Sequence, residues 1–303
     1  MKRSALLVSF LLVAILPAAA SVQGTFQRSF QVTGPVDLQV FTHSGDITVR
    51  RGPSGSVQIN AKIYASHNWP FGESRQADVE EIQKNPPLHQ NGNSIQIDYP
   101  SVRNLSIDYE ITVPADTTVR THSGSGDQSV DGIQKNVDLE SGSGDMRLND
   151  LNGEVRVHTG SGNVQADLVA GPVEAEAGSG DIRVRSKGPG DIHVHTGSGN
   201  IEVRDINGAL RAEAGSGDIT VDGTQTGAWE IRTGSGDVSL RLPSEASFDL
   251  DVSTSSGTLD VTHPVTMTIQ GRVREHPHTM SGKVHGGGPL LSVHTGSGDV
   301  RID

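Results

Sequence analysis

Gly178-Ser179-Gly180-Asp181-Ile182-Arg183-Val184-Arg185-Ser186 is the phrase whose pattern decides the architecture of this 303-residue chain. Glycine stands third, and apolar residues stand fifth and seventh with charges between them. Alternation of period two is the mark of a half-buried strand. The glycine ahead of it supplies the positive φ of a corner at little steric cost. A second phrase, Leu151-Asn152-Gly153-Glu154-Val155-Arg156-Val157-His158-Thr159, has the same spacing. One phrase of each kind makes a unit of strand, turn, strand, turn, with no helical period in it.

The unit recurs. Gly-Ser-Gly-Asp, or its Asn variant, begins at Gly124, Gly142, Gly160, Gly178, Gly197, Gly215 and Gly234, with an eighth copy at Gly296. The first seven are spaced eighteen or nineteen residues apart. Weaker echoes stand at His43-Ser44-Gly45-Asp46, Ser255-Ser256-Gly257-Thr258 and Ser281-Gly282-Lys283. Aligned at this spacing, the fifth position reads Gln128, Met146, Val164, Ile182, Ile201, Ile219, Val238, and the seventh Val130, Leu148, Ala166, Val184, Val203, Val221, Leu240. The second phrase gives Val137, Val155, Val173, Ile192, Leu210, Trp229 and, two residues on, Leu139, Val157, Ala175, Val194, Ala212, Ile231. Continuous apolar columns of this kind predict an all-β, single-stranded parallel β-helix or β-solenoid with 18–19-residue coils and two main strands per coil. Equivalent positions would then lie one strand spacing, roughly 4.8 Å, apart. A single coil buries too little to offset an ordering cost of roughly 1.5 kcal/mol per residue, so neighbours must stabilise one another and the ends need caps.

The outward rows fit the same stacking. One reads Asp138, Arg156, Glu174, His193, Arg211, Glu230, and its neighbour Glu140, His158, Glu176, His195, Glu213, Arg232. Acid and base mostly alternate, so vertical neighbours attract. Each exposed pair contributes only about 0–1 kcal/mol, which makes these rows more useful for register than for stability.

The flanks are less regular. Lys2 and Arg3, the apolar run Ala5 to Leu16 and the small residues Ala18-Ala19-Ala20 read as a secretory signal, cleaved before Ser21. Residues 21–120 read as N-terminal strands and a capping region, with strand-like stretches at 36–40, 57–60, 94–98 and 107–111. A short helix is expected from Glu73 to Lys84, stopped by Pro86-Pro87. The regular repeats occupy 121–242, and residues 243–303 read as irregular terminal coils ending on an open edge at Val300-Arg301-Ile302. Without Lys2 and Arg3 the 24 basic residues become 22 against 36 acidic, a net of −14. An acidic chain of this kind disfavours nucleic acid and anionic lipid. No further apolar stretch of membrane length follows, so no integral span is expected after signal cleavage. With no Cys, stability must come from packing and backbone ladders.

Several rows carry candidate chemistry. The turn row Asp127, Asp145, Asn163, Asp181, Asn200, Asp218, Asp237 could hold a hard cation such as Ca²⁺. It departs from the calcium-roll pattern Gly-Gly-x-Gly-x-Asp-x-hydrophobe-x, because Asp directly follows Gly and each half has two apolar positions. The competing reading makes each Asp a cap for its own turn. The Glu140–His158–Glu176–His195–Glu213 row has imidazole and carboxylate, yet a flat ladder does not converge ligands, and a salt-bridge row is favoured. His276, His278 and His285, near Met280, form a looser cluster. The repeated serines (Ser125, Ser143, Ser161, Ser179, Ser198, Ser216, Ser235) read as a hydroxyl ladder, since no strand-to-helix elbow follows them. A carbohydrate-active β-helix enzyme would need its site in the flanks, where Trp69, Phe71, Glu73, Tyr99 and Tyr109 lie. No catalytic residue and no cofactor is expected. The favoured reading is an exported, non-catalytic binding scaffold, periplasmic or at the surface, for an envelope or extracellular protein or glycan. Its recognition face would be Arg156, His158, Glu174, Glu176, His193, His195, Arg211 and Glu213.

The signal, the irregular N-terminal strands, the segment Tyr109-Glu110-Ile111-Thr112-Val113-Pro114 and the Thr-x-Ser-Gly-Ser-Gly-Asp repeats after it resemble the bacterial putative-adhesin domain family of unknown function, akin to GIN-type auto-transporter adhesin heads. The resemblance covers about residues 25–303. It implies a β-solenoid in an exported bacterial protein and brings no catalytic residues with it.

Overall fold

The structure is a computed structural model that describes residues 22–65, 76–102, 105–266 and 278–303. The signal segment, Trp69, Phe71, Glu73 and His276 lie outside the described residues. Among the described residues the fold is all-β, with one mixed sheet of 25 strands and a single helix, Gln76–Lys84.

In the repeat region the strands pair in parallel at the register the spacing sets. Val137, Val155, Val173 and Ile192 are successive partners across the strands Val137–Ser143, Val155–Ser161, Val173–Ser179 and Ile192–Ser198. In the other half of the unit Val184 lies opposite Ala166 on one side and Val203 on the other. The alternation then explains itself: along Ile182–Ser186 the residues Ile182 and Val184 are buried while Arg183 and Arg185 face water. Burying each such Val or Ile contributes roughly 1.5–3 kcal/mol. Trp229 is fully buried, and its indole N–H reaches the Gly208 carbonyl at 3.0 Å. The polar intruder in the columns, Gln128, is also satisfied: Thr121 donates to its Oε1, and its amide nitrogen donates to the Glu140 carbonyl at 2.8 Å.

The corner shows why the tetrad repeats so strictly. Gly180 has φ +136°, and a Cβ placed on it would collide with the Gly162 carbonyl. A Cβ on Gly178 would lie 2.6 Å from the Gly160 carbonyl oxygen. At the same corner the amides of Gly180 and Ile182 donate forward, to Ser198 and Asn200. The intervening amide of Asp181 points back, where the Asn163 side chain accepts it at 3.0 Å. Unpaired backbone donors are costly, so the position needs an acceptor of Asp or Asn length. The same bond, at 2.8–3.0 Å, joins Asp127 to Asp46, Asp145 to Asp127, Asn200 to Asp181, Asp218 to Asn200 and Asp237 to Asp218. Each side chain therefore caps the next unit, not its own turn. The serines between the glycines are exposed. The hydroxyls that bond at the corner belong to the residue before the tetrad: Thr196 donates to Gly180 O and Thr233 to Gly217 O, both at 3.0 Å, and Ser123 and Ser141 donate to the Ser125 and Ser143 carbonyls at 3.0 and 2.9 Å.

The ends depart from a purely parallel order. The ladder continues from Asp237 to the amide of Asp299, and from Asp299 to the amide of Thr258. The sequence-last repeat is thus an inner layer. Leu290–Ser297 lies between Ile219–Ser235 and Phe248–Ser256, and Val300–Ile302 lies between Val238–Arg241 and Leu259–Val261. The segment expected to be an open edge is paired on both sides. The Ser281-Gly282-Lys283 echo is not a corner at all but part of Thr279–Val284, antiparallel to Phe248–Ser256. At the other end Val36–Ser44 sits between Ser94–Ile97 and Thr117–Ser125, all parallel. Ser56–Ala65 then runs antiparallel to both Leu105–Val113 and Val22–Gln31. The helix buries Val79 and Ile82, and Gln83 donates to the Thr25 carbonyl at 2.9 Å. Cover by a helix is one means of protecting an exposed edge strand, and here the helix lies against Val22–Gln31.

Three outcomes follow from this geometry. Asp218→Ala should lower unfolding free energy by about 1 kcal/mol in urea titration, while Asp218→Asn should leave it within about 0.5 kcal/mol, because Asn163 and Asn200 already fill the same role. Leu291→Ala, at a fully buried position between Trp229 and Leu250, should cost about 2–5 kcal/mol; an edge position would lose far less. Asp127 and Asp299 both have folded pKa values below the ordinary carboxylate value. For Asp127, burial acts upward but is outweighed by Arg147 and the Asp145 amide together; for Asp299, the Thr258 amide and hydroxyl are the cause. Depressed carboxylates contribute stability above their unfolded pKa, about 4, and lose it as pH falls through the folded value. The melting temperature should therefore fall below about pH 4, less steeply in Asp127→Asn.

Candidate functional site

The strands of the second phrase carry the outward rows on one face. Their registers place Arg156 opposite Glu174, Glu174 opposite His193 and His193 opposite Arg211. One step along the strands, His158, Glu176, His195 and Glu213 are successive partners. All eight residues of the expected recognition face therefore stand together as two adjacent rows. Close contacts knit them: ion pairs join Arg156 Nε to Glu174 at 3.3 Å and Arg211 to Glu213 at 2.8 Å, and His158 Nδ1 lies 3.3 Å from Glu176 and His195 Nδ1 3.8 Å from Glu213. The rows extend in both directions, through His122 and Glu140 at 3.0 Å and through Arg232 and Glu213 at 3.5 Å. These groups are half-exposed, so the pairs fix side-chain positions more than they stabilise the fold.

Two concavities adjoin this face. A groove of about 450 Å³ has Pro172, Ala209 and Ala228 in its lining, with Glu174, His193, Arg211 and Glu230 among its polar groups. It runs past the residues that precede Val155, Val173, Ile192, Leu210 and Trp229, where Glu154 and Asp191 alternate with Pro172, Ala209 and Ala228. A second hollow of about 670 Å³ is lined by His195, Arg211, Glu213, Arg232, Ser253 and His294, among others. There the ring of His294 bridges two serines, Ser253 Oγ at 2.6 Å from Nδ1 and Ser292 Oγ at 3.1 Å from Nε2. Ser253 and His294 meet only because the last repeat is inserted between earlier ones, so sequence reading missed them.

The remaining candidates separate. The turn carboxylates Asp127, Asp145, Asp181, Asp218 and Asp237 form a ladder in which one oxygen of each accepts a backbone amide. Asp127 and Asp145 also hold Arg147, at 2.9 and 3.0 Å. Among the described residues no three His, Cys, Asp or Glu side chains converge on a point that could hold a metal ion. His285 bonds through Nδ1 to the Ala246 carbonyl at 2.9 Å. Tyr109, a candidate sugar platform by sequence, is a core residue, 1% exposed, with its ring edge-on to Phe26. Tyr99 is at the surface, stacked on His43 at 4.6 Å and flanked by Phe41 and His122. Among the described residues, no helix is long and apolar enough to cross a membrane.

No curated protein matches the chain. Among solved structures it is similar to a "putative lipid binding protein" from Parabacteroides distasonis ATCC 8503, at 14% identity and TM-score 0.50, with 92% of this chain and 97% of that one covered. It also aligns with a "putative adhesin" from Bacteroides fragilis NCTC 9343, at 13% identity and TM-score 0.43, covering 92% and 97%. A third is a "putative cell adhesion protein" from Clostridium sporogenes ATCC 15579, at 11% identity and TM-score 0.28, covering 92% and 98%. Identities this low speak to fold alone. The family model of Toastrack DUF4097 matches residues 37–195 and 72–303, together spanning the repeats and both flanks, and the chain belongs to that family.

Proposed function

We propose that this protein is an exported, non-catalytic binding scaffold, a β-solenoid of 18–19-residue coils with two main strands per coil, that presents its charged face to an envelope or extracellular partner. In this reading residues 1–20 are the export signal, 121–242 the regular solenoid, and 21–120 and 243–303 the regions that close its ends. The observation that carries it is the pair of in-register rows through Arg156, Glu174, His193 and Arg211 and through His158, Glu176, His195 and Glu213. Ladder-paired strands hold these side chains at fixed spacing, which lowers the ordering cost of binding. The similar structure named a lipid binding protein is, by its name, a binding protein and agrees with this class.

A lipid reading draws on the apolar part of the groove at Pro172, Ala209 and Ala228. The acidic groups Glu154, Glu174, Asp191 and Glu230 around it oppose anionic headgroups. Co-sedimentation decides between the two. The mature chain should pellet with purified cell-wall polysaccharide and not with phosphatidylcholine vesicles. Arg156→Glu combined with Arg211→Glu should cut the pelleted fraction at least tenfold with the circular dichroism spectrum unchanged. Equal pelleting of wild type and variant would remove the charged rows from the binding face.

A further inference from the structure

Aromatic residues are scarce in this chain, 4% of the sequence, and those near the repeats are mostly hidden. Trp229, Tyr109, Phe248 and Phe26 are buried. Tyr99 is the exception, the one Phe, Trp or Tyr among the described residues that is exposed, at 41%. It lies where the charged face begins, beside the layer formed by Val36–Ser44 and the layer formed by Thr117–Ser125. Three rings fix it. His43 stacks against one of its faces, with centroids 4.6 Å apart and planes at 23°. Phe41 leans on it at 5.7 Å and 43°, and His122 meets it edge-on at 6.2 Å and 81°. Phe41 and His122 are themselves register partners across the two parallel strands. His122 is held in turn by Glu140, with Nδ1 3.0 Å from Oε2.

The strands explain the cluster. Phe41 and His43 are outward residues two apart on one strand, and His122 is the outward residue of the next. Tyr99 arrives from a non-sequential insertion, just after Ser94–Ile97 pairs with Val36–Ser44. An exposed aromatic ring braced on three sides has lost its rotamer freedom before any ligand arrives, which lowers the cost of binding.

Around the rings stand hydrogen-bonding groups with capacity to spare. Glu140 is 56% exposed at its side chain and Asp98 41%. Asp98 is oriented by Gln96, which donates to it at 2.5 Å, and by His89 at 3.2 Å. Burial, and after it the Glu140 carboxylate, raise the Tyr99 phenol pKa, so it stays an O–H donor at neutral pH. A ring face bordered by carboxylates and amides matches a pyranose: axial C–H bonds present partial positive charge to the negative ring face, and the equatorial hydroxyls reach the polar rim.

We propose that Tyr99, braced by His43, Phe41 and His122 and bordered by Glu140 and Asp98, is a saccharide-binding platform for neutral pyranosyl chains. The proposal rests on the reading of the chain as a non-catalytic binding module and places its ligand contact at one end of the charged face. Geometry favours a sugar over a quaternary ammonium group. The rings touch one another and leave no cage between them for a cation to enter. Charge narrows the sugar: Asp98, Asp138 and Glu140 outnumber Arg120, which is itself paired to Asp138 at 3.6 Å, so uronic or sulfated chains are repelled.

Isothermal titration of the full mature chain with chitohexaose, cellohexaose and mannohexaose, with hexagalacturonate as the anionic control, tests this. At least one neutral hexasaccharide should bind and hexagalacturonate should not. Tyr99→Ala should weaken binding at least tenfold with the melting temperature unchanged, and Tyr99→Phe should retain affinity within threefold, since the ring supplies the contact. Binding of no neutral probe overturns the inference, as does equal binding by wild type and Tyr99→Ala. If Arg156→Glu with Arg211→Glu abolishes saccharide binding while Tyr99→Ala does not, the platform is wrong and the charged-face reading stands. If the chain binds envelope protein in a Tyr99-dependent way but no saccharide, the ligand class is wrong and the inference falls.

Discussion

Everything in this molecule depends on how closely successive corners approach. The backbone of one Gly-Ser-Gly-Asp corner sits against the carbonyls of the corner below, with no room for a Cβ at Gly178 or Gly180. That contact brings the strands on either side into parallel register and so lines up the apolar columns. It also turns one amide in each corner backward, and the Asp or Asn side chain of the neighbouring unit accepts it. Glycine and Asp/Asn are therefore two halves of one device. Glycine permits the approach, and the carboxylate or amide satisfies the donor that the approach creates. Asp and Asn interchange freely along the row because only one side-chain oxygen is needed.

The same device orders the layers where chain order does not. The ladder passes from Asp108 to Asp46 to Asp127, and later from Asp237 to Asp299 to Thr258. Both excursions insert a late segment beside an early one, and each adds an antiparallel pairing, Phe248–Ser256 with Thr279–Val284 and Ser56–Ala65 with Leu105–Val113. A stack of identical parallel layers would expose a sticky row of donors and acceptors at each end. The helix Gln76–Lys84 adds cover, laying Val79 over Gly24.

The parallel register sets what the repeats present, faces of evenly spaced side chains. The charged rows illustrate this: Arg156 and Glu174 pair with each other across neighbouring strands. Departures from flatness occur at the groove, at the inserted His294 and at Tyr99.

The repeat spacing by itself determined the all-β class, the parallel register within 137–241 and which residues of each phrase point inward, because alternation and a fixed period are local properties of the chain. It also placed the eight residues of the charged face side by side, since two rows at one spacing must be neighbours. Other features were decided only in three dimensions. The position of Val300–Ile302 inside the stack, the core location of Tyr109, the Ser253–His294 contact and the ring cluster around Tyr99 all join segments far apart in sequence. No local pattern encodes such meetings. A final repeat carries the same glycines and valines whether it ends the stack or enters it, and only the competition between strands for a partner on each side settles where it goes.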